Sequence, residues 1–121
     1  MDFEDMDKKI KENKIHTAVF CSPHNPCGRV WERWELEKAM EVYKANDVMV
    51  ICDEIWSDLI LDGNKHIPMQ TISEDAKMRT VALYAPSKTF NLASSAATIS
   101  STTRPCGSAL RRNPPCPITT P

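Results

Sequence analysis

Apolar residues change their spacing along this chain, and each change marks an element. Phe3, Met6 and Ile10 recur at helical intervals in a charged stretch, which predicts a short surface helix. Thr17 to Cys21 is a compact apolar run with a β-branched start, the pattern of a strand. Ser22 to Arg29 holds two prolines and a glycine and is read as a loop. Between Glu32 and Asn46, Leu36, Ala39, Met40 and Tyr43 recur every three or four residues against charged neighbours, predicting an amphipathic helix that Asn46 can end. Val48 to Cys52 is apolar without alternation, as expected of a parallel strand covered on both faces, and Asp53 ends it. Asp62-Gly63-Asn64 reads as a tight turn, Ser73 to Lys77 as a short serine-capped helix, and Thr80 to Ala85 as a third strand stopped by Pro86. The order is helix, strand, helix, strand, short helix, strand. It predicts an α/β fold of consecutive right-handed βαβ units in an open, mostly parallel sheet.

The pattern fails after about Ala93. No Asp or Glu occurs from Ala76 onward, and Pro105, Pro114, Pro115, Pro117 and Pro121 crowd the last seventeen residues. In the final 29 residues Ile99, Leu110 and Ile118 are the only large apolar residues, too few to offset the entropy of ordering the segment. The chain therefore divides into a folded part, residues 1–93, and a low-complexity Pro/Ser/Thr-rich tail, residues 94–121, expected to be disordered.

Composition narrows the function classes. With 121 residues, 41% hydrophobic and 26% charged, the chain suits a small globular unit, and its net charge of −1 gives no electrostatic case for nucleic acid or an anionic membrane. No apolar run approaches the roughly 20 residues that span a bilayer, and Met1 to Lys14 lacks a signal-peptide pattern; a cytoplasmic location is expected. The five cysteines (Cys21, Cys27, Cys52, Cys106, Cys116) form no Cys-x-x-Cys pair, which argues against a zinc site and a complete disulfide framework. No metal is expected, and the first three cysteines suit small apolar core positions.

The chemistry collects at strand ends. In an open α/β sheet, ligands bind beyond the carboxyl ends of the strands. The first strand delivers His24 and Asn25 to that edge, the second Asp53 and Glu54, the third Ser87 and Lys88. The separations, 28 positions from Asn25 to Asp53 and 35 from Asp53 to Lys88, each fit a βαβ crossover of roughly 30 residues. Taken singly, a lysine in a Ser-Lys-Thr loop is an ordinary surface residue, Asp53-Glu54 an ordinary acidic strand end, Asn25-Pro26 an ordinary turn, and His24 a packing residue. An amide, a carboxylate and an amine meeting at one edge are less ordinary.

These segments have a family look. Ser22-Pro23-His24-Asn25-Pro26-Cys27-Gly28-Arg29-Val30-Trp31 resembles the Asn-Pro-x-Gly loop of pyridoxal-phosphate (PLP) enzymes of aminotransferase fold type I, class I/II. Its Pro-His and Arg-Val-Trp flanks resemble the cystathionine β-lyase-like C–S lyase branch. Asp53-Glu54-Ile55-Trp56-Ser57-Asp58-Leu59 and Ala85-Pro86-Ser87-Lys88-Thr89-Phe90-Asn91-Leu92-Ala93 resemble the family's cofactor-aspartate and cofactor-lysine segments.

The resemblance, from about Met1 to Ala93, implies a partial three-layer sandwich, the central piece of the PLP-dependent transferase large domain. It implies that Lys88 carries PLP covalently and then removes the substrate Cα proton. Asp53 would pair with the pyridinium nitrogen, Asn25 with the phenolic oxygen, and Ser87 would help hold the phosphate. The implied reaction is β-elimination from an amino-acid substrate, a cysteine S-conjugate or cystathionine, giving thiol, pyruvate and ammonia. An aminotransferase with the same cofactor site is the alternative, and a non-catalytic truncated product is another. A homodimeric parent enzyme is implied as well.

Trp56 departs from the family pattern, in which aminotransferases commonly carry tyrosine at that position and close lyase relatives often histidine. Arg29 and Trp31 are read as an anchor for the following helix, with Trp31 or Trp34 packing on the sheet. The phosphate cup and the substrate-carboxylate arginine of complete enzymes have no counterpart here, so the isolated chain is expected to be inactive and prone to aggregate through bare strand edges. After Ala93 the family pattern stops, and a shifted reading frame would produce such a break. Reading the coding DNA in all three frames near codon 93 checks this, and an intact single-frame continuation in independent clones would refute it.

Overall fold

The computed structural model describes residues 1–92 and 98–101. Helix α1 (Phe3–Asn13) begins where the Asp2 side chain accepts the Asp5 amide at 3.0 Å, and it ends at Lys14 in the left-handed conformation, φ 50°. Strand β1 (Thr17–Cys21) follows, then α2 (Arg33–Ala45) and β2 (Met49–Asp53). Asn46 caps α2 as the sequence predicts, and Asp47 turns the chain with φ 52°. A 3-10 turn (Met69–Thr71) leads into α3 (Glu74–Arg79), whose cap Ser73 accepts the Ala76 amide at 3.0 Å. Strand β3 (Thr80–Tyr84) and a single helical turn, α4 (Pro86–Thr89), come next.

The strands form one sheet in the order β1-β2-β3-β4, with the first three parallel. Strand β4 (Thr98–Ser101) runs antiparallel to β3, with Leu83 opposite Ile99. The sequence reading put these four residues in a disordered tail. Their poor apolar content hid the reason for the strand: the outer edge of β3 offers unpaired backbone groups, and β-branched Thr98-Ile99 can pair with it. The remainder of the tail lies outside the described residues.

Alternation along the strands decides which face is buried. Phe20, Val50, Cys52 and Ala82 are buried on the side where α1 and α2 bring Ile10, Leu36, Ala39, Met40 and Tyr43. Trp31 joins this layer by packing against Phe20, ring centroids 5.8 Å apart, while Trp34 stays 54% exposed beside Phe3. Of the two tryptophans, Trp31 is therefore the sheet anchor. The register aligns Val19, Ile51 and Val81 on the other face, where Val19 is 74% exposed. Among the described residues one helical layer covers the sheet, so β2 is not sheathed on both sides as its unbroken apolar run suggested.

Arg79 fastens the far edge. Its guanidinium donates to Asp75 at 2.5 and 2.9 Å and to the Val48 carbonyl at 3.0 Å, tying α3 to the start of β2.

Leu36 is fully buried at the centre of the helical layer. Leu36→Ala is expected to lower unfolding free energy by about 2–5 kcal/mol in urea titrations. Val19→Thr, on the bare face, is expected to change it by less than about 0.5 kcal/mol while slowing aggregation followed by light scattering.

Candidate active site at the carboxyl edge of the sheet

Strands β1, β2 and β3 finish together. Cys21 lies opposite Asp53, and Asp53 opposite Leu83. The ladder runs one step further, with the Ser22 amide donating to the Asp53 carbonyl and the Glu54 amide to the Leu83 carbonyl, both at 3.0 Å. Whatever follows each strand therefore emerges at one edge.

After β1 the chain folds back on itself. The His24 amide donates to the Arg29 carbonyl at 2.8 Å and the Gly28 amide to the His24 carbonyl at 2.7 Å. Gly28 takes φ 68°, a conformation that suits glycine. The Ser22-Pro23 and Asn25-Pro26 peptides are cis. Trp31 Nε1 donates to the Cys21 carbonyl at 2.9 Å, and the Arg29 guanidinium, stacked 4.8 Å from the Trp31 ring centroid, bonds Glu35 Oε1 at 2.7 Å. Glu35 Oε2 accepts the Glu32 amide at 3.0 Å and closes the start of α2. Arg29 and Trp31 thus serve as the helix-entry anchor the sequence suggests. They leave Asn25 exposed at the mouth of a cleft.

That cleft, of about 310 Å³, lies between the His24–Gly28 loop and the segment carrying Trp56, Leu59, Ile60 and Leu61. Lys88, which follows β3, is exposed and does not itself line the cleft; it meets the cleft's Trp56 from the side. It sits in α4, which Pro86 initiates, and its Nζ lies 5.5 Å from the centroid of the Trp56 ring. Thr89 Oγ1 donates to Asp58 Oδ2 at 2.8 Å and ties α4 to the turn after β2. Trp56 therefore touches both sides: it lines the cleft with Asn25 and underlies the Lys88 ammonium. Asp53 and Ser87 are half-buried at the strand ends and do not line the cleft. Asp53 Oδ1 accepts the Ile55 amide at 3.1 Å, which orients the carboxylate as β2 turns away.

One cluster escaped the sequence reading. Glu54 is 0% exposed, and its carboxylate accepts the Met69 amide at 2.9 Å and the Tyr84 hydroxyl, with His66 Nε2 at 3.1 Å. The signal was present in the period-two alternation, which places residue 54 on the same side as Val50 and Cys52. Burial opposes ionisation of Glu54, but the bonds from His66, Tyr84 and the Met69 amide outweigh it and hold its pKa below the ordinary carboxylate value. Burial, then the bond to Glu54, pushes the Tyr84 hydroxyl well up. Burial and the Glu54 charge do the same to the Cys52 thiol. Among the described residues no group of three metal-binding side chains gathers.

A carboxyl whose folded pKa is depressed stabilises the fold above its unfolded pKa. That contribution disappears as pH falls through the folded value. Urea midpoints of the chain are therefore expected to drop as pH is lowered from about 5 toward 3. Glu54→Gln is expected to start less stable at pH 7 and to lose less over that window. Asp7, Glu35 and Asp75, also shifted down, sustain the remaining slope.

Comparisons with known proteins bear on the family and the fold. A family model described as aminotransferase class I and II matches residues 1–113, a span that includes β4. Cystathionine beta-lyase PatB of Bacillus subtilis (strain 168) is 44% identical over 93 residues, 77% of this chain and 24% of that protein. An aspartate aminotransferase of Bacillus sp. (strain YM-2) is 31% identical over 85 residues, 70% of this chain and 22% of that protein. Among solved structures, cystalysin from Treponema denticola, which contains a pyridoxal 5'-phosphate cofactor, aligns over 85% of this chain and 26% of its own with TM-score 0.81 and 39% identity. The PLP-bound C-S lyase from Staphylococcus hominis aligns over 75% of this chain and 23% of its own, with TM-score 0.71 and 38% identity. The chain spans about a quarter of the length of these relatives.

Proposed function

Because the chain belongs to the aminotransferase class I and II family, we propose that it is the central piece of the large domain of a PLP-dependent C–S β-lyase acting on cysteine S-conjugates or cystathionine. The observation that carries this reading is the Lys88 ammonium over Trp56, whose ring also lines the cleft that Asn25 borders, at the strand edge where Asp53 ends β2.

The donor set suits PLP group by group. Lys88 offers an amine to the aldehyde, Asp53 a carboxylate to the pyridinium nitrogen, Asn25 an amide to the phenolic oxygen, and Ser87 a hydroxyl to the phosphate. When bound, PLP supplies an electron sink for the pair left at the substrate Cα. Asp53 would hold the ring nitrogen protonated by offering it a negative charge. Lys88 would serve as the base that takes the Cα proton. The 44% identity to a cystathionine beta-lyase favours elimination of the thiol from Cβ.

The likeness to aspartate aminotransferase favours a second reading, amino transfer on the same cofactor site. Both readings concern the parent enzyme, which we place in the cytoplasm as a homodimer. The isolated chain, about a quarter of the length of its relatives, is assigned negligible turnover.

Incubation with PLP followed by borohydride reduction is expected to label Lys88, read by peptide mass spectrometry, and Lys88→Ala is expected to remove that label. Asp53→Ala is expected to lower labelling at limiting PLP about tenfold, the loss of one charge-assisted hydrogen bond. Label spread evenly over the surface lysines would count against the site. For the full-length parent given cystathionine, pyruvate and ammonia are expected, and a new amino acid formed from an added oxo-acid would establish the transaminase reading instead.

A further inference from the structure

Glu54 is adjacent in sequence to Asp53 but points the other way, into the core. A carboxylate with 0% exposure is costly unless its oxygens are satisfied. Three partners satisfy it, each from a different piece of chain. Tyr84 comes from the last position of β3, His66 from the connection after the Asp62-Gly63 turn, and the Met69 amide from the 3-10 turn. The His66 side chain is itself only 10% exposed.

We propose that Glu54 is a positioning residue whose buried carboxylate, held by Tyr84, His66 and the Met69 amide, clamps the end of β2 to the end of β3 and so fixes Lys88 relative to Asp53. The significance of that spacing for a cofactor rests on the PLP reading above; the clamp itself does not. Tyr84 stands two residues before Pro86, which starts the turn bearing Lys88. Asp53 stands one residue before Glu54. The two groups expected to grip opposite parts of one small ring thus leave their strands immediately beside the clamp. The backbone bond from the Glu54 amide to the Leu83 carbonyl, at 3.0 Å, lies in the same place. A side chain at the hinge of both departing segments controls their mutual placement more strongly than one deeper in the core.

Hydrogen exchange read by mass spectrometry on the 121-residue chain tests the clamp. Tyr84→Phe removes one hydroxyl and keeps the ring, and Glu54→Gln keeps the shape and removes the charge. Peptides spanning residues 53–57 and 86–92 carry the Ile55 amide bonded to Asp53 and the Phe90 and Leu92 amides of the Lys88 turn. In Tyr84→Phe these two peptides are expected to exchange about five- to tenfold faster, while a peptide spanning 36–45 stays within about twofold of the parent. Labelling of Lys88 by PLP and borohydride is expected to fall in parallel.

Unchanged exchange in both peptides overturns the proposal, and so does a uniform rise across all peptides, which would mark Tyr84 as general core packing. If Glu54→Gln fails to fold, Tyr84→Phe decides alone. If the parent chain takes no PLP at Lys88, the cofactor reading fails, and exchange still supports or overturns the clamp.

Discussion

Three parallel strands ending in register are the constraint on which everything else in this molecule rests. Cys21, Asp53 and Leu83 form one row across the sheet, and the backbone ladder continues one residue past β1 and β2. Side chains on a strand alternate, so a slip of one position would exchange the surroundings of Asp53 and Glu54. The acid meant for the open side would enter the core, and the acid with three buried partners would lose them. The burial of Phe20, Val50 and Cys52 under α1 and α2 sets this register, because a slip would expose that whole apolar row.

Much of this was legible in the chain. Apolar pattern located α1, β1, α2, β2 and β3, the Ser73 cap located α3, and Asn46 and Pro86 marked the ends of α2 and β3 through local chemistry. The elements that were not legible are short. The turn at Met69–Thr71 and the turn of α4 hold too few residues to show a period. Strand β4 owes its existence to a partner edge rather than to its own composition. The candidate site is read from residue types that follow strand ends, and of these Asn25 alone lines the cleft; the cleft between His24–Gly28 and Leu59–Leu61 was not legible, since it arises between two loops distant in sequence.

The pair Asp53-Glu54 shows why adjacent acids need separate accounts. Asp53 sits half-buried at the edge with one oxygen on the Ile55 amide, while Glu54 is sealed beneath it. The sequence presents them as one acidic strand end, and only the alternation of the strand separates them. Trp56 is a comparable case. Its departure from the tyrosine or histidine of the family left its contact open, and its ring lies beneath an ammonium, where the face of an indole is the best of the aromatic surfaces.

Glu35 carries a consequence of another kind. One of its oxygens receives Arg29 from the loop that bears Asn25, and the other closes the first turn of α2. Loop and helix are thereby bolted through a single carboxylate, itself buried. The entry of α2 and the loop that carries Asn25 thus share one anchor, so replacing that single acid would slacken both at once.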